Sequence, residues 1–286
     1  MKKKISIIIV TYNSLNQIKE CLYSIFKYND IGDALEVIIV DNGSIDYLEL
    51  TGWLNNTYGN RVRLFRNSNN LGYGAGNNVG IKVASAPIIL IMNPDVRLFM
   101  PIMNEAFLSF SEDENMALLG MVQFEKWNKI GQSFLPIIPS IGNLFRLKFY
   151  KCIQKYSQNH FCIHGSCFFI RKNIMEEIGG FDENIFLYNE ERDLHVRLLK
   201  SGYNVKWNKT IGYIHPMHSR KVNVDLIKME LLSFQYVNNK YNWNWRANIY
   251  KTYYLNLFLY YKAKIMCNKG NCEYFMSHLK ITKTYL

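Results

Sequence analysis

Three polar clusters stand where the chain leaves an apolar run: Thr11-Tyr12-Asn13-Ser14, Asp41-Asn42-Gly43-Ser44 with Asp46 beyond, and Asn93-Pro94-Asp95. They follow the strand-like segments "KISIIIV", "LEVIIV" and "PIILIM". Ile88 to Met92 reads as a strand buried on both faces, as in a parallel sheet. Pro94 lacks an N–H and ends it. Asp95 therefore stands at the carboxyl end of a core strand, the edge where open α/β sheets bind ligands. Singly, each cluster reads as a turn or a helix N-cap. Three on one edge point to a polar ligand. Between the second and third lies "NSNNLGYGAGNNVG" (67–80). Backbone N–H groups of such a loop, leading into a helix, suit a phosphate. The dinucleotide pattern G-x-G-x-x-G fails at Asn77, which disfavours hydride transfer. A further acidic group, "NEERDLHVRL" (189–198), reads in isolation as the acidic first turn of a helix, which the helix dipole favours.

These groups need a scaffold. Strand-like runs at 4–10, 35–40, 61–65, 87–92 and 117–122 alternate with helix-compatible stretches at 14–27, 45–57, 73–85 and 101–110. The alternation predicts β-α-β units and a mostly parallel sheet with right-handed crossovers. Residues 123–160, with Gly131, Pro136, Pro139 and Gly142, read as a long irregular insertion of the kind that forms a substrate loop. A strand over 161–172, a helix over 189–202 closed by Gly202, and a short strand over 203–207 follow. From about 222 onward the pattern is helical, aromatic and basic.

The 286 residues suffice for one large or two modest domains, and 49% hydrophobic content excludes a disordered chain. Six cysteines form no C-x-x-C pair, which disfavours zinc and suits a reducing, cytoplasmic setting. "MKKKISIIIVTYNS" begins like a signal peptide, but its apolar run spans six residues and no small-residue cleavage site follows, so a first strand is expected. No apolar run reaches the roughly 18 residues needed to span a bilayer. The net charge of +11 lies entirely in the last third: from Lys200 to Leu286 there are 14 basic and 3 acidic residues, against 20 of each before. Nucleic acid, an anionic membrane and phosphate-bearing ligands are the partners such a charge admits.

The segments "SIIIVTYNS", "EVIIVDNGSID", "NNLGYGAGNNVGI", "LIMNPDV", "HGSCFFIRK", "IGGFDENIFLYNEERDLHVRL" and "GYNVKW" occur in this order over roughly 4–220. The ordered set resembles the inverting nucleotide-sugar glycosyltransferases of family 2, and among them the rhamnosyltransferase-like branch of bacterial surface-polysaccharide enzymes. The resemblance implies an α/β, GT-A-like, Rossmann-type domain over 1–220, with a nucleotide-sugar half (1–122) and an acceptor half (123–220), and a helical extension over 221–286. It implies that Thr11, Tyr12 and Asn13 line the nucleotide site and that Asp41 contacts base or ribose, with Asn42 and Ser44 nearby. Asn70, Gly72 and Asn77 would lie beside the nucleotide and diphosphate. Asn93-Pro94-Asp95 stands where the family often has Asp-x-Asp, so Asp95 would bind Mg²⁺ or Mn²⁺ bridging the donor diphosphate. Asn93 departs from that pattern, since an amide supplies no anionic ligand. The family's Glu-Asp pair reads Glu190-Glu191, which makes Glu191 the general base for the acceptor hydroxyl and Glu190 its neighbour. His215, with His218, Arg220 and Lys221 after it, would meet the cation or diphosphate, and His164 and Gly165 the acceptor side. Asp193 and Arg197, four apart, read as a pair along the helix.

The implied reaction takes a sugar from a nucleotide diphosphate donor, dTDP-rhamnose first and a UDP-hexose next. The acceptor is a hydroxyl of a lipid-linked glycan in O-antigen, capsule or similar assembly. "NIYKTYYLNLFLYYKAKIM" (248–266) suits a membrane interface by its tyrosines and lysines, or a core or dimer contact by its aromatic stripe. The charge count and the lipid-linked acceptor favour a cytoplasmic protein held peripherally at the anionic inner face of the plasma membrane, with Trp243 and Trp245 on the same surface. A homo-oligomer is compatible with this. No nucleic-acid motif accompanies the charge. A sugar nucleotidyltransferase would carry a Gly-rich basic loop where "TYNSLNQ" stands, whereas a non-catalytic nucleotide-sugar binder would share the donor site.

Overall fold

The computed structural model describes residues 2–216 and 222–286. Strands β1 (Ile5–Thr11), β2 (Leu35–Asp41), β3 (Val62–Arg66) and β4 (Ile88–Met92) form a parallel wing in the order β3-β2-β1-β4. Helices α1 (Leu15–Lys27), α2 (Tyr47–Tyr58) and α3 (Tyr73–Val83) link them. Successive strand side chains point to opposite faces. Ile7, Ile9, Val37 and Leu90 accordingly join one core with Ile18 and Leu22 of α1, while Ile8, Ile38, Val40 and Ile91 join a second with Ile81 of α3. Both faces are dry, as the unbroken apolar runs required.

The sheet continues through β5 (Arg97–Leu98), β6 (Met116–Lys126) and β7 (Lys129–Ile130). Beyond a separate ribbon of β8 (Phe134–Pro136) and β9 (Phe161–Ile163), it adds β10 (Cys167–Arg171) and β11 (Asn204–Ile214). β10 lies antiparallel between β4 and β6, β11 is parallel to β6, and β5 is antiparallel to β11. The sheet is therefore mixed. Helices α4 (Met103–Glu112), α5 (Ile141–Cys152), α6 (Lys172–Glu177) and α7 (Glu190–Lys200) complete this part of the chain.

Three expectations change. The strand expected over 161–172 breaks at 164–166, because β9 pairs with β8 while β10 pairs inside the main sheet. The insertion is not irregular throughout: Ser140 Oγ accepts from Asn143 N at 3.1 Å and starts α5, with the prolines placed before the helix, where they break nothing. The strand expected over 203–207 runs on to Ile214 across a register shift between Asn208 and Gly212.

Helices α8 (Val224–Lys240), α9 (Trp245–Ile265) and α10 (Lys269–Lys283) follow. The end of α8 is locked to α7 through fully buried Asp193. Its Oδ1 accepts from Lys240 Nζ (2.6 Å) and Tyr241 Oη (2.7 Å), and its Oδ2 from Arg197 Nε (2.8 Å). Asp193 thus pairs along its helix and also anchors α8. Among the described residues, no helix is long and apolar enough to cross a membrane.

Candidate active site

β1 and β2 end side by side, with Thr11 level with Asp41. Asn13, in a left-handed conformation at φ 51°, braces the edge: its N–H donates to Ser44 Oγ (2.9 Å), and its Oδ1 accepts from Ile45 N (3.0 Å). Asp41 is fully buried. Its Oδ2 accepts from Gly43 N (3.2 Å) and Ser44 N (3.1 Å), with Arg66 Nε 3.7 Å away. Its Oδ1 is buried with no hydrogen-bond partner among the described residues. An unsatisfied buried carboxylate oxygen is costly, and it marks a place prepared for a ligand N–H or O–H. Tyr12, beside it, is half-exposed.

The asparagine-glycine loop is held by hydrogen bonds among its own residues and Asn42. Asn42 Nδ2 donates to Gly72 O (2.9 Å) and Asn70 Oδ1 (3.3 Å), Asn42 Oδ1 accepts from Asn67 Nδ2 (2.7 Å), and Asn70 Oδ1 also accepts from Gly72 N (3.0 Å). Gly72 has φ 87°, and a Cβ there would lie 2.2 Å from Phe186 O. The Tyr73 N–H at the helix start donates to that same Phe186 oxygen (3.0 Å). The loop thereby seats α3 against β1 and the 181–186 segment. Asn77, buried, donates to Tyr73 O (2.9 Å), while its Oδ1 has no partner among the described residues.

The break between β9 and β10 forms the turn His164-Gly165-Ser166. Ser166 O accepts from Asn93 N (2.8 Å), which fixes the Asn-Pro-Asp bend against the turn. His164 Nδ1 accepts from Ser166 N (3.1 Å), so its proton sits on Nε2. Burial, reinforced by His215, pushes the His164 pKa down to about 3, leaving a neutral imidazole. Ser166 Oγ lies 2.9 Å from Tyr213 Oη, which donates to Gln123 Oε1 (3.3 Å).

Pairing of β5 with β11 carries His215 to Asp95, with Nε2 3.3 Å from Oδ1. His215 Nδ1 is buried without a hydrogen-bond partner among the described residues. The two side chains offer one carboxylate and one imidazole. No group of three His, Cys, Asp or Glu that could hold a metal occurs among the described residues. The pair fits a cation whose remaining ligands are phosphate oxygens and water. His218, Arg220 and Lys221 lie outside the described residues.

α7 opens after two left-handed residues, Tyr188 (φ 69°) and Asn189 (φ 71°). Asn189 holds that strained start: Nδ2 donates to Glu230 O (3.1 Å), and Oδ1 accepts from Arg192 Nη1. Glu190 is buried, and its Oε1 has no partner among the described residues. Burial first, then the charge of Glu191, raises its pKa to about 8. Both effects favour the neutral carboxyl at Glu190. Glu191 is more accessible and lies against the turn: a Cβ built on Gly165 would sit 3.8 Å from its Oε2. Tyr73 Oη donates to Gly165 O (2.6 Å) on the other side. The turn therefore touches both the Asn-Pro-Asp bend and Glu191. Tyr213 and Gln123 support this candidate site from outside every quoted segment, whereas Ser166, Tyr73 and Asn189 lie within quoted segments that gave them no role. Ser166 lies inside the "HGSC" segment, but its role depends on a strand break that composition does not show.

Residues 6–179 match the family model described as Glycosyl transferase family 2. The chain belongs to glycosyl transferase family 2. Glu190, Glu191 and His215 lie beyond the matched segment of this family 2 chain. The low-salt glycan biosynthesis hexosyltransferase Agl10 of Haloferax volcanii is 26% identical over 222 residues, 75% of this chain and 68% of that protein. The uncharacterized protein y4gI of Sinorhizobium fredii is 26% identical over 221 residues, 74% of this chain but 24% of y4gI. The chain thus spans about a quarter of y4gI. Among solved structures, the mannosyltransferase PcManGT of Pyrobaculum calidifontis, in complex with GDP-Man and Mn²⁺, superposes with a TM-score of 0.61 at 14% identity, covering 99% of this chain and 87% of PcManGT. TarS of S. aureus gives 0.54 at 18% identity, covering 82% of this chain and 40% of TarS. These likenesses establish the GT-A-like fold of this family 2 chain.

Proposed function

We propose that the protein is an inverting glycosyltransferase that moves a sugar from a nucleoside diphosphate donor to a hydroxyl of a lipid-linked glycan. The observation that carries this reading is the 164–166 turn, which holds the Asn-Pro-Asp bend through Ser166 O and meets Glu191 at Gly165. One short segment thereby fixes the place for a leaving diphosphate relative to the place for an attacking hydroxyl, the positioning on which displacement depends.

Asp41 Oδ1 accepts from the base or ribose, with Thr11, Tyr12, Asn13 and Ser44 around it. Asn42, Asn70 and Gly72 shape the loop beside the diphosphate, and buried Asn77 braces the start of α3 behind it through Tyr73 O. Asp95 and His215 would hold Mg²⁺ or Mn²⁺, which would neutralise charge on the leaving diphosphate. Glu191 takes the proton of the acceptor hydroxyl as its oxygen bonds to the anomeric carbon. The sugar–phosphate bond breaks in the same displacement, the nucleoside diphosphate leaves, and the anomeric configuration inverts. Neutral Glu190 adds no second charge beside the base and donates a hydrogen bond to the bound sugar. His164 Nε2–H is a second fixed donor on the acceptor side.

The donor we favour is dTDP-rhamnose, ahead of a UDP-hexose, and the setting is surface-polysaccharide assembly at the inner face of the plasma membrane. Exposed Tyr250, Tyr254, Tyr261 and Ile265 of α9, interleaved with exposed Lys251, Lys262 and Lys264, support contact with an anionic bilayer. A thermal-shift screen of nucleotide diphosphate sugars, with and without Mn²⁺, followed by turnover of the labelled hit, tests the reading. A native-state ligand raises the melting temperature. No shift with any donor would sink the donor site, and a shift without transfer would leave only a nucleotide-sugar binder.

A further inference from the structure

Helix α8 meets the loop before α7 along one stripe. Glu230, Ser233, Tyr236 and Lys240 follow one another at intervals of three and four, the spacing that sets residues on one side of a helix. Ser233 Oγ donates to Leu187 O (2.9 Å), and Glu230 O accepts from Asn189 Nδ2 (3.1 Å). Tyr236 Oη donates to Asp182 Oδ2 (2.9 Å), which also accepts from Lys240 Nζ. The same loop is held to α3. Asn78 Nδ2 donates to Phe181 O (2.9 Å), Asn78 Oδ1 accepts from Phe181 N (2.8 Å), and Tyr73 N donates to Phe186 O (3.0 Å). All of the loop and of α8 lies beyond residues 6–179 of the family model.

The loop needs such support. It ends in Tyr188 and Asn189, both left-handed and neither glycine, a backbone that persists only where its surroundings impose it. Asn189 passes the restraint on. Its Oδ1 accepts from Arg192 Nη1, which stands 3.9 Å from Glu191 Oε1, while Arg192 Nε donates to Pro136 O (3.2 Å). Asn189 O accepts from Arg192 N and Asp193 N, both at 3.1 Å, and so opens the helix that carries Glu190 and Glu191. A path of contacts thus runs from α8 through Asn189 and Arg192 to Glu191.

We infer that Ser233 and Asn189 are positioning residues for the acidic pair, and that α8 is a working part of the transfer site rather than an appendage to it. Each acts through the backbone of residues 187–190. They fix where α7 starts, and with it the Glu191 carboxylate, as closely as a displacement reaction demands. The role of Glu191 as base rests on the function proposed above, whereas the restraint on its backbone does not.

The test compares Ser233→Ala, Ser233→Thr and Asn189→Gly in the full chain. Glycine accepts a left-handed backbone, so Asn189→Gly removes only the side-chain contacts. The measurements are hydrogen exchange of the Arg192 and Asp193 amides, donor affinity by calorimetry, and kcat with the donor that the thermal-shift screen selects. Ser233→Ala and Asn189→Gly should each speed that exchange about tenfold and lower kcat about tenfold, the scale of one lost hydrogen bond, with donor Kd unchanged. Ser233→Thr, which keeps the hydroxyl, should restore both. A contact that served stability alone would lower the melting temperature of Ser233→Ala and leave kcat per folded molecule as it was, and that result overturns the inference. Exchange equal to the parent's in both variants overturns it too. If the parent transfers no sugar from any donor, the transferase reading falls; faster exchange in the two variants then keeps the restraint by α8, and equal exchange removes it. Two variants on different elements cover the misfolding of one.

Discussion

His215 Nε2 lies 3.3 Å from Asp95 Oδ1, although one residue follows β11 and the other follows β4. Two-residue β5, formed directly after the Asn-Pro-Asp bend, pairs Leu98 with Tyr213 and Arg97 with Ile214 and so sets the distance. Asn93 is tied elsewhere, through its backbone to Ser166. The anionic contribution at this edge therefore comes from Asp95, with an imidazole as partner in place of a second carboxylate.

Asp95→Ala should abolish the cation-dependent part of donor binding, and His215→Ala should weaken it. Calorimetry with a nucleotide diphosphate sugar, with and without Mn²⁺, measures both. Affinity that responds to Mn²⁺ equally in Asp95→Ala and the parent protein would end the metal role. Asn93→Asp should strengthen the cation dependence. If it changes nothing, residue 93 serves only its backbone contact.

Asp41 has one satisfied and one unsatisfied oxygen, both buried. Asp41→Asn keeps an acceptor for Gly43 N and Ser44 N but removes the charged acceptor. A hydrogen bond to a charged group contributes about 1.5–3 kcal/mol, so free nucleoside diphosphate should bind roughly ten- to a hundredfold more weakly. The melting temperature without nucleotide should fall far less. Unchanged nucleotide affinity would mean that the lone oxygen faces something other than the donor.

The parallel wing was legible in sequence because β1, β2 and β4 are continuous apolar runs ended by turn formers, and a strand buried on both faces has little freedom to read as anything else. Asp41 and Asp95 were legible for the same reason, Asp41 as the first polar residue after one such run and Asp95 as the first acid after another. The 164–166 turn was not. "FCIHGSCFFIRK" is apolar enough for one strand, and only the competing partners β8 and β4 split it. The loop glycines were ambiguous in a similar way. Gly76 and Gly80 are small because Val10 and Ile8 press on them, with a Cβ at 2.8 and 2.4 Å respectively, a packing need that composition does not separate from phosphate binding. The start of α7 depends on two left-handed residues without glycine, Tyr188 and Asn189, a conformation that sequence rarely signals.

Glu190 should leave a mark on stability against pH. Its pKa rises from an ordinary 4.5 to about 8 on folding. Between those values the folded protein keeps a proton that the unfolded chain has lost. Stability therefore falls as pH rises through that window and levels off above it. At about 1.4 kcal/mol for each pH unit crossed, the loss reaches a few kcal/mol. His164 and His195, held down to about 3 and 4, act oppositely and lower stability as pH falls below about 6.5. Glu190→Gln removes only the first contribution. Its melting temperature should decline less than the parent's between pH 5 and 8 and should exceed it at pH 8. Parallel melting curves for the two proteins would show that Glu190 does not hold the proton.

Glu191 carries the last prediction. It lies beside the 164–166 turn, less buried than Glu190 and 3.9 Å from Arg192 Nη1, whereas burial and the neighbouring charge hold Glu190 toward its neutral form. A base that works only as the acceptor attacks should affect turnover and leave donor binding alone. Glu191→Gln keeps the shape and removes the proton acceptor, so transfer should fall at least about a hundredfold with donor Kd little changed. Glu190→Gln is the control. Its amide replaces a protonated carboxyl with another neutral donor, so transfer at pH 7 should stay within about tenfold of the parent, since general-base catalysis, typically worth about 10²–10⁴-fold, remains in place. Neighbouring side chains on a helix diverge by about 100°, so the two carboxyls do not exchange places. An active Glu191→Gln beside a dead Glu190→Gln would move the base to residue 190. Two active variants would reduce the pair to the acidic first turn of a helix.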